Sequence, residues 1–292
     1  MLSNEIVITG NRAMARSYAK INLTLDVLGR RDDGYHTVEM IMQTVSLFDF
    51  ILVDRTNNDI TVSTNLRFLP NNEKNIAYSA AKSFFDYTKL SGGCKIILHK
   101  NIPVAAGLAG GSGNGAAVLA ALDMLYNTRL SSSELADIAL TLGADVPYCL
   151  MGGTALASGI GEIITPLSPL PDCYILMVKP RVSVSTPSIY KAIDNEIIAA
   201  HPDTEAVINA LEKGDLNAVA GGMENVMGAV TERMHPVVRG IRKKLVKNGA
   251  IGAVMSGSGP TVFGIFDDYN IAKRSHDSFA YQFKEVFLVK NK

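Results

Sequence analysis

Pro103-Val104-Ala105-Ala106-Gly107-Leu108-Ala109-Gly110-Gly111-Ser112-Gly113-Asn114-Gly115 runs straight into Ala116-Ala117-Val118-Leu119-Ala120-Ala121-Leu122. A connector of about six residues would join a strand to a helix; this one holds five glycines. Glycine lets the main chain approach a ligand closely and turn its N–H groups inward, and the helix that follows offers unpaired donors and a partial positive charge. The junction predicts an anion site, most simply for phosphate. Taken alone, the stretch reads equally as a tightly packed connector. No Gly-Lys-Ser/Thr follows, so it is not a Walker A loop, and the Gly-x-Gly-x-x-Gly spacing of a dinucleotide fold is absent.

The chain of 292 residues is long enough for two domains of ordinary size. A hydrophobic content of 47% with 19% charged residues excludes a disordered chain. Formal net charge is zero, which removes the electrostatic footprint of a general nucleic-acid binder and points to a small-molecule partner. Cys94, Cys149 and Cys173 are odd in number and form no Cys-x-x-Cys pair. Neither a disulfide framework nor a zinc site is expected, and a reducing cytoplasm fits. No leader or membrane-spanning run is read, and the expected state is a monomer or weak homodimer.

From Arg16 to Leu28, Ile21, Leu23, Leu25 and Val27 alternate with Lys20, Asn22, Thr24 and Asp26. That is the pattern of a half-buried strand, with Lys20 and Asn22 on one face. Arg30-Arg31-Asp32-Asp33-Gly34 reads as a turn before strands at His36–Val45 and Phe48–Val53. A helix is expected from Asn75 to Leu90 and a short strand from Cys94 to His99, leading into the glycine loop. Ser131 with Glu134 predicts a capping box, and Asp145 falls in a tight turn before Val146-Pro147. Later come a strand at Cys173–Lys179, helices near Ser188–Asp194, Glu205–Lys213 and Pro236–Lys247, and strands at Ile251–Met255 and Thr261–Phe266. The whole reads as α+β layers, with a domain boundary near residue 160.

Singly, the polar candidates carry bland readings. Lys20 reads as a solvated lysine, Asp145 as a cap or turn residue, and Tyr35-His36 as a packing tyrosine beside a turn histidine. Met255-Ser256-Gly257-Ser258-Gly259-Pro260-Thr261-Val262-Phe263 reads as a turn with more glycine than a hairpin needs. Arg239, Arg242, Lys243, Lys244 and Lys247 read as a solvated helix face.

In combination they say more. Ala19-Lys20-Ile21-Asn22-Leu23, the Pro103–Ala117 loop and Met255–Phe263, in this order, resemble the three motifs of the GHMP kinase superfamily. Arg31-Asp32-Asp33-Gly34-Tyr35-His36, Gly143-Ala144-Asp145-Val146-Pro147 and Thr186-Pro187-Ser188-Ile189-Tyr190 extend the resemblance over nearly the whole chain. They direct it to the branch whose acceptor is a cytidine-diphosphate-linked methylerythritol.

The resemblance implies a two-domain α+β fold: an ATP-binding domain over 1–160, a ferredoxin-like α/β sandwich over 161–292, and an active site between them. It implies ATP-dependent phosphoryl transfer to the acceptor's 2-hydroxyl in non-mevalonate isoprenoid precursor synthesis, with ATP and Mg²⁺ as cofactors. Asp145 would be the base or hydroxyl-orienting group, and Lys20 would keep it ionised and offset charge on the transferring group. Pro103 and the run Gly107, Leu108, Ala109, Gly110, Gly111, Ser112, Gly113, Asn114 and Gly115 would wrap the triphosphate, Ser112 and Asn114 adding side-chain contacts, with Asn75 near adenine. Tyr35 and Tyr190 would sandwich cytosine, His36 would read its edge, and Asn22 and Thr186 would contact the acceptor. One departure stands out. The family loop usually reads Gly-Gly-Ser-Ser-Asp/Asn-Ala-Ala, whereas Gly113 and Gly115 here replace the second serine and first alanine, so no direct Mg²⁺ ligand is assigned. Homoserine-type or mevalonate-type kinases, which need no base-binding residues, and a non-catalytic sensor on the same fold are the rival readings.

Overall fold

The computed structural model describes residues 5–195, 198 and 200–292. Two compact units interleave along the chain. One takes the chain up to Ala19, then Leu47–Val104 and Ala109–Gly152; the other takes Lys20–Ser46, Ala105–Leu108 and Gly153–Lys292.

In the first unit β1 (Glu5–Thr9) folds back on the start of β2 (Arg12–Arg30), antiparallel, with Glu5 opposite Arg16 and Thr9 opposite Arg12. The end of β3 (His36–Thr56) pairs antiparallel with β5 (Gly93–His99), while β4 (Ile60–Thr64) runs parallel on the other side of β5. Helices α1 (Ile76–Thr88), α2 (Gly110–Tyr126), α3 (Ser132–Leu140) and α4 (Asp145–Met151) complete this unit. Every residue of α2 from Gly113 to Leu122 is buried, as a helix apolar on all sides requires. Burial of Val118, Leu119 and Leu122 contributes roughly 1.5–3 kcal/mol each. A Cβ at Gly115 would lie 3.2 Å from Ile76 Cγ1, so the glycine lets α1 and α2 approach closely. The expected capping box is present on α3: Ser131 Oγ accepts from Glu134 N at 3.2 Å, and Ser131 N donates to Glu134 Oε2 at 2.8 Å.

In the second unit the start of β3 pairs antiparallel with β6 (Thr154–Ser158), which forms a hairpin with β7 (Ile163–Pro166). A separate antiparallel sheet has the order β10-β11-β8-β12, made of β8 (Tyr174–Lys179), β10 (Gly252–Met255), β11 (Val262–Phe266) and β12 (Glu285–Lys290). The two-residue β9 (Glu224–Asn225) runs parallel to β2, with Thr24 opposite Glu224. Helices α5 (Thr186–Ile193), α6 (Thr204–Glu212), α7 (Leu216–Gly221), α8 (Val226–Met234), α9 (Pro236–Lys247) and α10 (Tyr269–Ala280) complete it. Among the described residues no helix is long and apolar enough to cross a membrane.

Two expectations change. His36–Val45 and Phe48–Val53 are one strand of 21 residues, for no glycine or proline interrupts the run. β2 is not half-buried. Its alternating polar residues Lys20, Asn22, Thr24 and Asp26 are all at most 4% exposed. Such groups need internal partners, and those partners build the site.

Candidate active site

Asn22 is the hub of the second unit. Its Oδ1 accepts Lys20 Nζ at 2.7 Å and the Gly257 N–H at 3.0 Å, and its Nδ2 lies 3.2 Å from Met40 Sδ. The Lys20 N–H donates to Leu108 O at 3.2 Å. Ser256 Oγ donates to Gly107 O at 2.9 Å. Gly107 has φ +73, and a Cβ there would stand 2.2 Å from Ser256 O, so only glycine fits. The β2 motif, the middle of the glycine loop and the β10–β11 turn are thereby stitched into one clamp around a buried lysine. Asn225, which the sequence reading did not single out, holds the turn from beneath. Its Nδ2 donates to Met255 O at 2.7 Å and Gly257 O at 2.8 Å, while its Oδ1 caps α8 through Met227 N at 2.9 Å. Thr186 Oγ1 and Ser258 Oγ lie 2.7 Å apart, which ties the start of α5 to the same turn.

In the first unit the glycine loop ends on α2. Ala109, at φ +52, precedes the helix, and no side chain caps it. The first intrahelical bond runs from Gly113 N to Ala109 O at 2.8 Å, which leaves the N–H groups of Gly110, Gly111 and Ser112 without helical partners. Gly111 is exposed, and a Cβ on it would have its nearest neighbour 3.8 Å away. An open helix N-terminus with three unpaired donors favours an anion.

The start of that helix rests on a buried network whose members lie far apart in sequence. Lys100 Nζ donates to Asp49 Oδ2, to Asn114 Oδ1 at 2.8 Å and to Gly110 O at 3.2 Å. Asp49 also accepts Asn101 N at 2.7 Å, Ile102 N at 2.8 Å and Asn114 Nδ2 at 2.9 Å. All three ammonium protons of Lys100 have acceptors, as a buried charge requires. Asn114 Nδ2 donates also to Ser17 Oγ at 3.2 Å, so this side chain is engaged at both ends inside the unit.

Comparison with known proteins gives the family. Residues 75–153 match the GHMP kinases N terminal domain and residues 207–284 the GHMP kinases C terminal domain. A 4-diphosphocytidyl-2-C-methyl-D-erythritol kinase of Alkaliphilus metalliredigens (strain QYMF) is 48% identical, covering 94% of this chain and 95% of that protein. The chain belongs to the GHMP kinases. An enzyme of the same name from Lachnoclostridium phytofermentans is 50% identical over 89% of this chain and 90% of its own length. The crystal structure of a 4-(cytidine 5'-diphospho)-2C-methyl-D-erythritol kinase superposes with TM-score 0.82 at 32% identity, covering 95% of this chain and 98% of that one. A homoserine kinase from Cytophaga hutchinsonii ATCC 33406 shares the fold, at TM-score 0.79 and 18% identity over 98% and 96% of the two chains.

The remaining residues singled out in this GHMP kinase fall as follows. Asn75 is the N-cap of α1: its Oδ1 accepts Ala77 N at 3.0 Å, and its Nδ2 donates to Pro70 O at 2.8 Å. Pro103 is buried in the loop. Asp145 opens α4, two residues after Gly143, whose φ is +149, with Ala144 as the N-cap between them. Tyr35 is 60% exposed in the turn before β3. His36 stacks on Tyr190, with centroids 4.5 Å apart and planes 17° apart, and its Nε2 lies 2.7 Å from Asp194 Oδ1. Asp194, at the end of α5, was not foreseen; nothing in the sequence links it to His36. Arg239 and Arg242 of the basic run are not wholly solvated: both bond the buried Glu232, at 3.1 and 2.5 Å. Among the described residues no group of three or more His, Cys, Asp or Glu is placed to hold a metal.

Proposed function

We propose that this chain transfers the terminal phosphoryl group of ATP to the 2-hydroxyl of 4-diphosphocytidyl-2-C-methyl-D-erythritol, giving ADP and the 2-phosphate in non-mevalonate isoprenoid precursor synthesis. The observation that carries the reading is the clamp of Lys20, Asn22, Gly107, Ser256 and Gly257. It is supported by enzymes of that name at 48% and 50% identity over most of the chain. Residues 1–160 are read as the ATP-binding half and 161–292 as its partner, in line with the family matches at 75–153 and 207–284.

ATP with Mg²⁺, when bound, supplies the phosphoryl group and neutralises its charge. The chain's own part is positioning and charge stabilisation. The N–H groups of Gly110, Gly111 and Ser112 take the phosphates, with the Ser112 hydroxyl beside them, and Pro103 and Gly107 through Gly115 shape the loop. Asn114 supports it through Lys100 and Asp49. Asn75 fixes the start of α1 near the adenine. Lys20, aimed by Asn22, faces the transferring group, and Asp145 takes or orients the acceptor's hydroxyl proton.

Asn22 and Thr186 border the acceptor. Tyr35 and Tyr190 offer stacking faces for cytosine. In a neutral His36 ring that donates Nε2–H to Asp194, Nδ1 is an acceptor, which suits the exocyclic amino group of cytosine and not the oxygen of uracil.

The test is Mg²⁺-dependent ADP release with the cytidyl acceptor, homoserine and mevalonate, for the unaltered chain and Asp145→Asn. Turnover with the cytidyl acceptor alone, lost in the variant, is the expected result. Turnover with homoserine or mevalonate instead would overturn the substrate, and turnover unaffected by Asp145→Asn would overturn the role of that residue.

A further inference from the structure

Gly113 lies inside α2 in helical backbone, where glycine weakens a helix relative to alanine. What it provides is space. A Cβ at this position would fall 2.6 Å from Ser17 Oγ and 3.3 Å from Tyr18 O. Ser17 belongs to β2, is fully buried, and accepts Asn114 Nδ2 at 3.2 Å. A hydroxyl delivered by a strand therefore occupies the volume that a side chain at residue 113 would take.

We infer that Ser17 is a positioning residue of the nucleotide loop, its hydroxyl standing in for the one the loop lacks at Gly113. It acts through neighbours. Ser17 fixes the Asn114 amide, Asn114 fixes Lys100 at 2.8 Å, and Lys100 holds the Gly110 carbonyl at 3.2 Å. The Gly110 peptide in turn sets the direction of the first-turn N–H groups of α2. The inference rests on the reading of this loop as the ATP site.

The geometry makes the two positions interdependent. Adding a side chain at Gly113 while Ser17 stays puts the new Cβ 2.6 Å from Ser17 Oγ, a clash relieved when the hydroxyl turns away and gives up the bond it accepts from Asn114. Removing the Ser17 hydroxyl alone leaves a buried Asn114 proton without its acceptor. Exchanging both eases both demands: Cβ of residue 17 is 4.0 Å from a Cβ at Gly113, an ordinary contact, and only the 3.3 Å approach to Tyr18 O remains, which a shift of a few tenths of an ångström relieves. The returned hydroxyl then fills the vacated volume.

The experiment compares full-length Gly113→Ser, Ser17→Ala and the exchange Ser17→Ala/Gly113→Ser by calorimetric titration with ADP and Mg²⁺. ATP and acceptor KM values are measured beside it. Gly113→Ser is expected to weaken ADP binding about tenfold and Ser17→Ala about threefold, with the exchange within about twofold of the unaltered chain. ATP KM should follow the ADP affinities while acceptor KM stays constant, a split that general loosening of the fold would not produce.

Gly113→Ser binding ADP normally, or an exchange variant no better than Gly113→Ser, overturns the inference. Should Gly113→Ser fail to fold, the exchange is judged against Ser17→Ala. Tighter ADP binding by the exchange supports the inference, and equal or weaker binding overturns it. An unaltered chain that binds no ADP overturns the ATP-site reading and this inference with it. That result is distinct from one in which the unaltered chain binds and the exchange fails. ADP titration does not depend on which acceptor the enzyme uses.

Discussion

The two glycine-rich segments look alike in sequence and do opposite things. At the start of α2 the N–H groups of Gly110, Gly111 and Ser112 have no helical partner, and Gly111 is exposed, a Cβ there meeting only Ile76 at 3.8 Å. In the β10–β11 turn the glycine donors are already used: Gly257 N bonds Asn22 Oδ1 at 3.0 Å and Gly259 N bonds Ser256 O at 2.9 Å. Glycine there serves close approach, since a Cβ at Gly257 would be 3.2 Å from Gly107 O and one at Gly259 would be 2.5 Å from Met255 Sδ. The difference lies in where the backbone donors go. The first segment leaves its donors without helical partners; the second commits its glycine donors to Asn22, which holds Lys20, and to closing the turn itself.

The sharpest way to break this comparison is Gly107→Ala, which touches the committed side. The new Cβ would meet a backbone oxygen at 2.2 Å from a residue at φ +73. A loss of about 3 kcal/mol or more in urea unfolding is expected, and a loss under about 1 kcal/mol would show that the clamp yields easily. Asn225→Ala removes two hydrogen bonds to the turn and the cap of α8. It should cost about 2–3 kcal/mol by the same assay and lower turnover as Asn22 loosens. Gly111→Ala is the counterpart on the open side. With nothing nearer than 3.8 Å, it should leave stability unchanged or raise it by up to about 1 kcal/mol. ADP affinity should nevertheless fall, because the methyl group enters the ligand's space.

Asp194→Asn separates base recognition from both glycine segments. Acceptor KM should rise by about tenfold, near 1.4 kcal/mol, with ATP KM unchanged. A parallel rise in both would mean the His36 pair supports the whole site.

The smallest effect is on pH. Burial pushes Glu232 up, but its hydrogen bonds from Arg242 and Arg239 outweigh this and leave its carboxyl below the usual range. Its stabilising contribution is therefore complete above the ordinary glutamate range and is lost as pH falls through the lowered value. Because α8 carries both Glu232 and the Thr231 hydroxyl that bonds Ser258 O at 3.3 Å, acid should loosen the turn. Glu232→Gln should flatten the acid limb of a stability–pH curve by about 1 kcal/mol; an unchanged limb would place the acid sensitivity elsewhere.

Local signals in the sequence carried most of the elements. The capping box at Ser131, the proline-led α9 and the glycine loop opening α2 all lie where their residue patterns predict. The alternation of β2 was legible as well, though its burial was not, because polar residues on a strand face read as solvent-facing until their partners are known. Those partners are distant. Gly257 is 235 residues from Asn22, and Asp49 is 51 from Lys100. No periodicity links such pairs, so Asp49, Lys100, Asn225, Asp194 and Ser17 emerged only from the folded chain. Burial pushes the thiols of Cys94 and Cys173 up to about 12.

The most direct test of the claim that α2 holds the phosphates is amide hydrogen exchange with and without ADP and Mg²⁺. The Gly110, Gly111 and Ser112 amides should exchange fast in the free protein and slow on binding, while Gly257 and Gly259 are slow throughout. Protection by nucleotide at Gly257 and Gly259, with none at Gly110 to Ser112, would contradict it.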